Sequence, residues 1–204
     1  MGVERYRRKL NNRVRDLLNL GNRGKWDRFY ESVADAQLYG DQVSYERAAE
    51  FLADVREVED WGCGLGGFRK FCRTRYIGVD GSESRFADRI ADLANYRSEA
   101  DGILIRHVLE HDYRWRKILD NAVVSFRSKM CLVLFTPLTA KTSEIAYNHD
   151  YAVPDIAFRQ EDITSRFGLA SWTAETNLHT DTQYGVEHIF YLTRPAREFS
   201  GADI

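Results

Sequence analysis

Three clusters of residues in this chain are suited to chemistry by type and spacing. The first is Glu59-Asp60-Trp61-Gly62-Cys63-Gly64-Leu65-Gly66-Gly67-Phe68, spaced glycines beside two carboxylates. Glycines let a chain turn sharply and bring its backbone close to a ligand. Asp80, in Tyr76-Ile77-Gly78-Val79-Asp80-Gly81, is placed so that a carboxylate can accept hydrogen bonds from paired hydroxyls such as those of a ribose. The second cluster is Arg106-His107-Val108-Leu109-Glu110-His111-Asp112. Its two imidazoles titrate near neutrality and are candidate general bases, His107 first because it directly follows a strand and His111 second. The third cluster is Tyr147-Asn148-His149-Asp150 with Asp155 nearby. It has the oxygen and nitrogen donors of a metal site, but a polar lid loop is the simpler account, and no metal is expected.

The elements that position these groups follow from periodicity. Tyr6, Leu10, Val14, Leu17 and Leu18 recur at helical spacing, and Gly21-Asn22-Arg23-Gly24 ends that helix. Trp26, Phe29, Tyr30 and Val33 form a second apolar-aromatic stretch, and Ser44 is the expected cap of a third helix through Leu52. From Arg56 the texture changes to short apolar strands near 56–61, 75–79, 86–91, 102–106 and 130–136. Trp115, Ile118, Leu119, Ala122, Val123 and Phe126 make an amphipathic helix between the last two. Strand–helix–strand alternation implies an α/β, doubly wound, mostly parallel sheet. The glycine loop then falls at the carboxyl end of the first strand, where such sheets bind ligands. The segment from Pro137 through Pro154 reads as irregular and 160–167 as a short helix. The runs 171–178 and 186–193 flank Gln183-Tyr184-Gly185 and read as a terminal antiparallel hairpin. In its second run, alternation turns Glu187 and His188 to opposite faces.

The glycines fit two patterns. Gly62, Gly64 and Gly67 match the dinucleotide fingerprint, which keeps an NAD-binding oxidoreductase as an alternative. Gly62, Gly64 and Gly66, preceded by Asp60, resemble the first motif of the class I S-adenosylmethionine-dependent methyltransferases. A pyrophosphate would be repelled by Glu59-Asp60, whereas a cationic amino-acid end would be attracted. The strand ending in His107-Val108-Leu109-Glu110-His111 also resembles that family's fourth-strand motif. The resemblance covers roughly residues 50–136. It implies a Rossmann-like, seven-stranded, mostly parallel sheet with an antiparallel C-terminal hairpin, and S-adenosyl-L-methionine as cofactor. Carried over by position, Asp60, Gly62, Gly64 and Gly66 hold the methionine moiety, and Asp80 binds the ribose. Asp92 contacts the adenine, although the helix usual before it in the family is reduced here to a loop. Arg106 and His107 lie beneath the methylsulfonium. The acidic metal cluster of catechol-type relatives does not appear.

The 204 residues suit one methyltransferase domain at 45–204 with an N-terminal helical cap or arm at 1–44. They leave little room for the separate substrate domain usual in dehydrogenases. The formal net charge of −2 hides an uneven distribution. Residues 1–30 hold nine Lys/Arg and three Asp/Glu, a net of +6, which leaves −8 for the remainder. A basic, aromatic arm keeps an RNA substrate as an alternative. Its apolar stripe instead favours a cap over the site or a homodimer contact, with Trp26, Phe29, Tyr30 and Tyr39 as an apolar wall. The three cysteines include no C-x-x-C pair, so a reducing cytoplasm is the expected compartment. No apolar run approaches a membrane span, and the start lacks a signal-peptide pattern. The expected activity is O-methylation of a small molecule such as a sugar or a secondary or surface-glycan metabolite. A non-catalytic nucleotide- or partner-binding module is the alternative from another class.

Overall fold

The computed structural model describes residues 23–195. The helix expected over Tyr6–Leu18 lies outside the described residues. Two helices, α1 (Arg23–Glu31) and α2 (Gln42–Phe51), precede the sheet. The strands are β1 (Glu57–Trp61), β2 (Arg75–Asp80), β3 (Arg89–Ile90), β4 (Gly102–Arg106), β5 (Lys129–Leu134), β8 (Ser171–Leu178) and β9 (Val186–Thr193). They form one sheet in the order β3-β2-β1-β4-β5-β9-β8. Strands β1 to β5 pair in parallel, and β9 runs antiparallel to both β5 and β8. The seven-stranded, mostly parallel sheet and its terminal hairpin are therefore as expected.

Each face of the sheet has its own apolar layer. Helix α3 (Trp115–Ser125) lies between β4 and β5 in the chain and buries Trp115, Ile118, Leu119, Ala122 and Val123 against Trp61, Ile103, Ile105 and Leu132. On the other face, Tyr45, Ala48 and Ala49 of α2 pack with Val58, Leu104, Val133 and Ile189. Each large side chain removed from water in these layers contributes roughly 1.5–3 kcal/mol before entropy is counted. Strand β4 is buried at all five positions, as a central parallel strand with both faces covered must be.

Several local expectations are corrected. Helix α2 starts earlier than Ser44, because the Asp41 carboxylate accepts from the Val43 N–H at 2.8 Å and caps it. Ser44 is instead buried, with its hydroxyl on Glu187. The strand expected over 86–91 shrinks to Arg89–Ile90. There the Asp88 side chain takes the Gly78 N–H at 2.8 Å, a donor that a ladder carbonyl would otherwise use. The glycine loop leads into a single 3₁₀ turn, Gly67–Lys70, for which no element was expected. The segment 137–154 is not irregular throughout, since β6 (Ser143–Asn148) pairs antiparallel with β7 (Val153–Ala157). Helix α4 covers only Gln160–Thr164. Among the described residues, no helix is long and apolar enough to cross a membrane.

Candidate active site

The carboxyl ends of β1, β2, β4 and β5 open into a cavity of about 570 Å³, roofed by α1 and the β6–β7 turn. That size suits a nucleoside-sized ligand with a small partner. Gly62 leaves β1 with φ +78°, and its N–H donates to the Val79 carbonyl at 2.7 Å. A Cβ there would stand 2.3 Å from Val108 Cγ2, so side-chain-free backbone is required where the loop passes the segment that follows β4. Gly62 and Gly64 line the cavity, while Gly66 turns behind it against Phe86.

The two acidic neighbours of the loop part company. Both belong to β1 rather than to the loop, and alternation sends them to opposite faces. Glu59 accepts from Trp61 Nε1 at 2.9 Å and from Arg89 and Tyr96 at 3.0 Å, a structural network away from the cavity. Asp60 lines the cavity, buried, and accepts from the Tyr76 hydroxyl at 2.9 Å. Burial pushes its carboxyl up to about 7, with the Tyr76 bond opposing and the charge on Asp80 reinforcing that rise. Asp80 ends β2 beside the glycine loop. Its oxygens accept from the Gly64 N–H at 2.9 Å and the Ser82 N–H at 2.8 Å. Burial raises its pKa, and these backbone bonds resist the rise. A carboxylate keeps spare lone pairs beyond two such bonds, so Asp80 retains acceptor capacity toward a diol.

Asp92 is also in the cavity wall, but its carboxylate is engaged with Arg114 Nη1 at 2.9 Å and Asn95 Nδ2 at 2.6 Å. Arg106 and His107 lie under the cavity. The Arg106 guanidinium donates to Ser44 Oγ and Glu187 Oε1, each at 2.9 Å, and to the Tyr39 carbonyl at 2.7 Å, and it stacks 3.9 Å over the Tyr45 ring. His107 sits at φ +57°, a strained conformation for a non-glycine residue, and donates from Nε2 to Glu187 Oε1 at 2.8 Å. Burial, then the Arg106 and His111 charges, hold its pKa well below the usual imidazole value. His107 is therefore a neutral group tied into a buried network.

His111 has a different setting. Its Nδ1 faces the Pro154 carbonyl at 3.1 Å and Asp155 Oδ1 at 3.3 Å. With Nδ1 as donor, Nε2 remains the acceptor nitrogen. Burial opposes charge on the ring, but the bond to Asp155 and the carboxylate of Glu110 outweigh it and raise the pKa. Asp155 in turn accepts from the Tyr184 hydroxyl at 2.8 Å. Burial works against its charge, yet the bonds from His111 and Tyr184 lower its pKa overall. The Phe135 ring packs between the two histidines, 4.9 Å from His107 and 5.2 Å from His111. Glu110 holds the Phe135 backbone by accepting its N–H at 2.6 Å.

Above the floor, Trp26 of α1 stacks on Tyr151 of the β6–β7 turn at 4.4 Å. Tyr30 and Tyr39 complete the aromatic roof, and Phe29 packs edge-on to Tyr151. The Glu83 N–H donates to Asp27 at 2.7 Å and pins α1 to the loop after β2. Among the described residues, no group of three or more His, Cys, Asp or Glu side chains is arranged to hold a metal ion. Sequence reasoning gave Ser44 only as a helix cap and Tyr184 only as a turn residue, and it did not name Phe135 as a site residue. Each joins the site through a partner distant in the chain, and no local spacing marks it.

No family model and no curated relative matches the sequence. The fold is matched by solved structures. A Burkholderia thailandensis 1,6-didemethyltoxoflavin-N1-methyltransferase, bound to 1,6-didemethyltoxoflavin and S-adenosylhomocysteine, superposes with a TM-score of 0.60 at 13% identity, over 76% of this chain and 77% of that one. A magnesium protoporphyrin IX methyltransferase from Synechocystis PCC 6803 with bound S-adenosylhomocysteine matches over 89% of this chain and 98% of its own, with a TM-score of 0.54 and 20% identity. An O-methyltransferase family protein from Burkholderia thailandensis gives a TM-score of 0.55 at 12% identity, covering 77% of this chain and 57% of that one. The chain thus has the Rossmann-like fold of the class I S-adenosylmethionine-dependent methyltransferases.

Proposed function

We propose that this protein is an S-adenosylmethionine-dependent methyltransferase that O-methylates a small molecule such as a sugar or a secondary or surface-glycan metabolite. The observation that carries this reading is a single cavity holding the Gly62–Gly64 backbone, Asp60 and Asp80 at one end and His111 at the other. Matched structures with S-adenosylhomocysteine bound support the same reading. The residues present fit the cofactor. Asp60 would face the cationic amino group, the glycine loop would lie against the methionine moiety, and Asp80 would take the ribose hydroxyls. Asp92 would stand at the adenine end. Arg106 and His107 would form the floor beneath the sulfur, held by Glu187.

When bound, S-adenosylmethionine supplies a methyl carbon already activated by its sulfonium. The protein then has to align an acceptor oxygen, exclude water and remove one proton. His111 is the base we assign. Its Nε2 accepts the hydroxyl proton, and the imidazolium is stabilised through Nδ1 by Asp155, which Tyr184 holds in place. The aromatic roof of Trp26, Tyr30, Tyr39 and Tyr151 would keep water out. An NAD-binding role is disfavoured by the buried Asp60 carboxylate beside the loop, which would face a pyrophosphate.

The test is transfer of labelled methyl from S-adenosylmethionine to a panel of hydroxylated acceptors. His111→Ala should lower kcat by about 10²–10⁴-fold, the usual share of a general base. Its affinity for S-adenosylhomocysteine should stay within about threefold, since binding energy lies at the other end. A variant with unchanged kcat removes His111 from the mechanism.

A further inference from the structure

The cavity spans two halves of the sheet. The glycine loop and Asp80 occupy the β1–β2 half. The far half lies over β4, β5 and the β8–β9 turn, and its walls include Tyr39, Phe135, Tyr151, His111, Asp155 and Asp181. Resting on the reading above, this half is where an acceptor must lie.

Its charges are one-sided. Among the described residues, the arginines lining the whole cavity are Arg106 and Arg114. Arg106 commits Nε and Nη2 to Ser44, Glu187 and the Tyr39 and Asp41 carbonyls, and its charge is met by the Glu187 carboxylate at 2.9 Å. Arg114 is held by Asp112 and Asp92, each at 2.9 Å. Each guanidinium already holds a carboxylate, so neither stands as an unpaired cation for a second carboxylate or a phosphate. Two carboxylates face the same space, Asp155 behind His111 and the exposed Asp181 at the mouth. While His111 is neutral and ready to accept a proton, Asp155 is an uncompensated anion. Around them stand aromatic faces and uncharged donors and acceptors, with Phe135 and Tyr184 rings 5.8 Å apart and the Thr182 and Gln183 side chains beside them.

We infer that the acceptor subsite takes an uncharged, hydroxyl-bearing ring and discriminates against its carboxylated or phosphorylated counterparts. Ring faces find aromatic walls, hydroxyls find His111, Thr182 and Gln183, and an anionic substituent finds no cation. A carboxylate brought within roughly 6 Å of Asp155, at an effective dielectric of about 20, is disfavoured on the order of 100-fold. Phenols and sugars both present this chemistry, and the experiment separates them.

S-adenosylhomocysteine binding is first measured by calorimetry on the full chain. Initial rates of methyl transfer are then compared within matched pairs: catechol against 3,4-dihydroxybenzoate, and D-fucose against D-glucuronate. The expected result is turnover of the neutral member of at least one pair, with kcat/KM on the order of 100-fold above its acid. Which pair responds tells phenol from sugar. In Asp181→Lys the gap should narrow by about tenfold, because a cation now stands at the mouth. Acids used as well as neutral partners overturn the inference. So does turnover of neither pair by protein that binds S-adenosylhomocysteine, or a gap that Asp181→Lys leaves unchanged. Failure to bind S-adenosylhomocysteine instead refutes the methyltransferase reading itself, and the acceptor assignment with it.

Discussion

Asp60 makes cofactor affinity depend on pH in a direction and size that follow from its surroundings. In the free protein its carboxyl titrates at about 7, because it is buried beside Asp80 with only the Tyr76 hydroxyl, and more distantly Arg106 and Arg69, to favour the charge. An ammonium placed against it needs the carboxylate form, so binding must release a proton below that pKa. Affinity is then full above pH 7 and is lost as pH falls. A single site of pKa about 7 weakens binding about 25-fold between pH 7.5 and 5.5, or about 1.9 kcal/mol. At more alkaline pH the ligand's own α-amino group loses its charge, so affinity declines again and the profile is a bell. Calorimetry with S-adenosylhomocysteine across this range reads the curve directly. Asp80 also has a raised pKa and adds to the acid limb. Asp60→Asn should therefore remove the Asp60 share and leave a shallower slope. An acid limb of undiminished size in Asp60→Asn, or no limb in the wild type, refutes the reasoning.

Three further outcomes follow from the same geometry. Gly62→Ala combines a positive φ with a Cβ at 2.3 Å from Val108, and should destabilise by about 2–4 kcal/mol in denaturant unfolding. A loss under about 1 kcal/mol would show that the Gly62–Val108 contact is looser than described. Arg106→Ala leaves the buried Glu187 without its cation and should cost about 3–5 kcal/mol, read by the same unfolding experiment; a near-neutral result contradicts the network. In Asp155→Asn the bond that raises the His111 pKa is weakened, so the acid limb of kcat against pH should move to lower pH. A limb that stays in place assigns it to another group.

What the sequence revealed was local. The glycine loop, Asp80 and the terminal hairpin are contiguous patterns, and the structure has 171–178 and 186–193 as β8 and β9. Strands β4 and β5 were legible because burial on both faces makes them nearly continuous apolar runs, whereas central β1 carries Glu57, Glu59 and Asp60 and was marked by the glycine loop that follows it. The β6–β7 pair was not. Pro154 argues against a central strand, and it is tolerated here because in a two-stranded sheet every strand is an edge. Ser44 read as a helix cap because its hydroxyl type fits that role, whereas the fold sends it to a glutamate 143 positions away. The Arg106–Glu187 and His111–Asp155–Tyr184 groupings are likewise created by topology. Sequence order placed His107 ahead of His111 as the candidate base. The distinction between them lies in which nitrogen is already bonded, and no spacing rule carries that information.

The central claim is that the β1–β2 half of the cavity is built for an adenosyl-methionine ligand. Calorimetry of the full chain with S-adenosylhomocysteine, S-adenosylmethionine and NAD tests it most directly. The account predicts saturable binding of both adenosyl ligands, weakened by Asp80→Ala, and no binding of NAD. Binding of NAD with neither adenosyl ligand bound would contradict it.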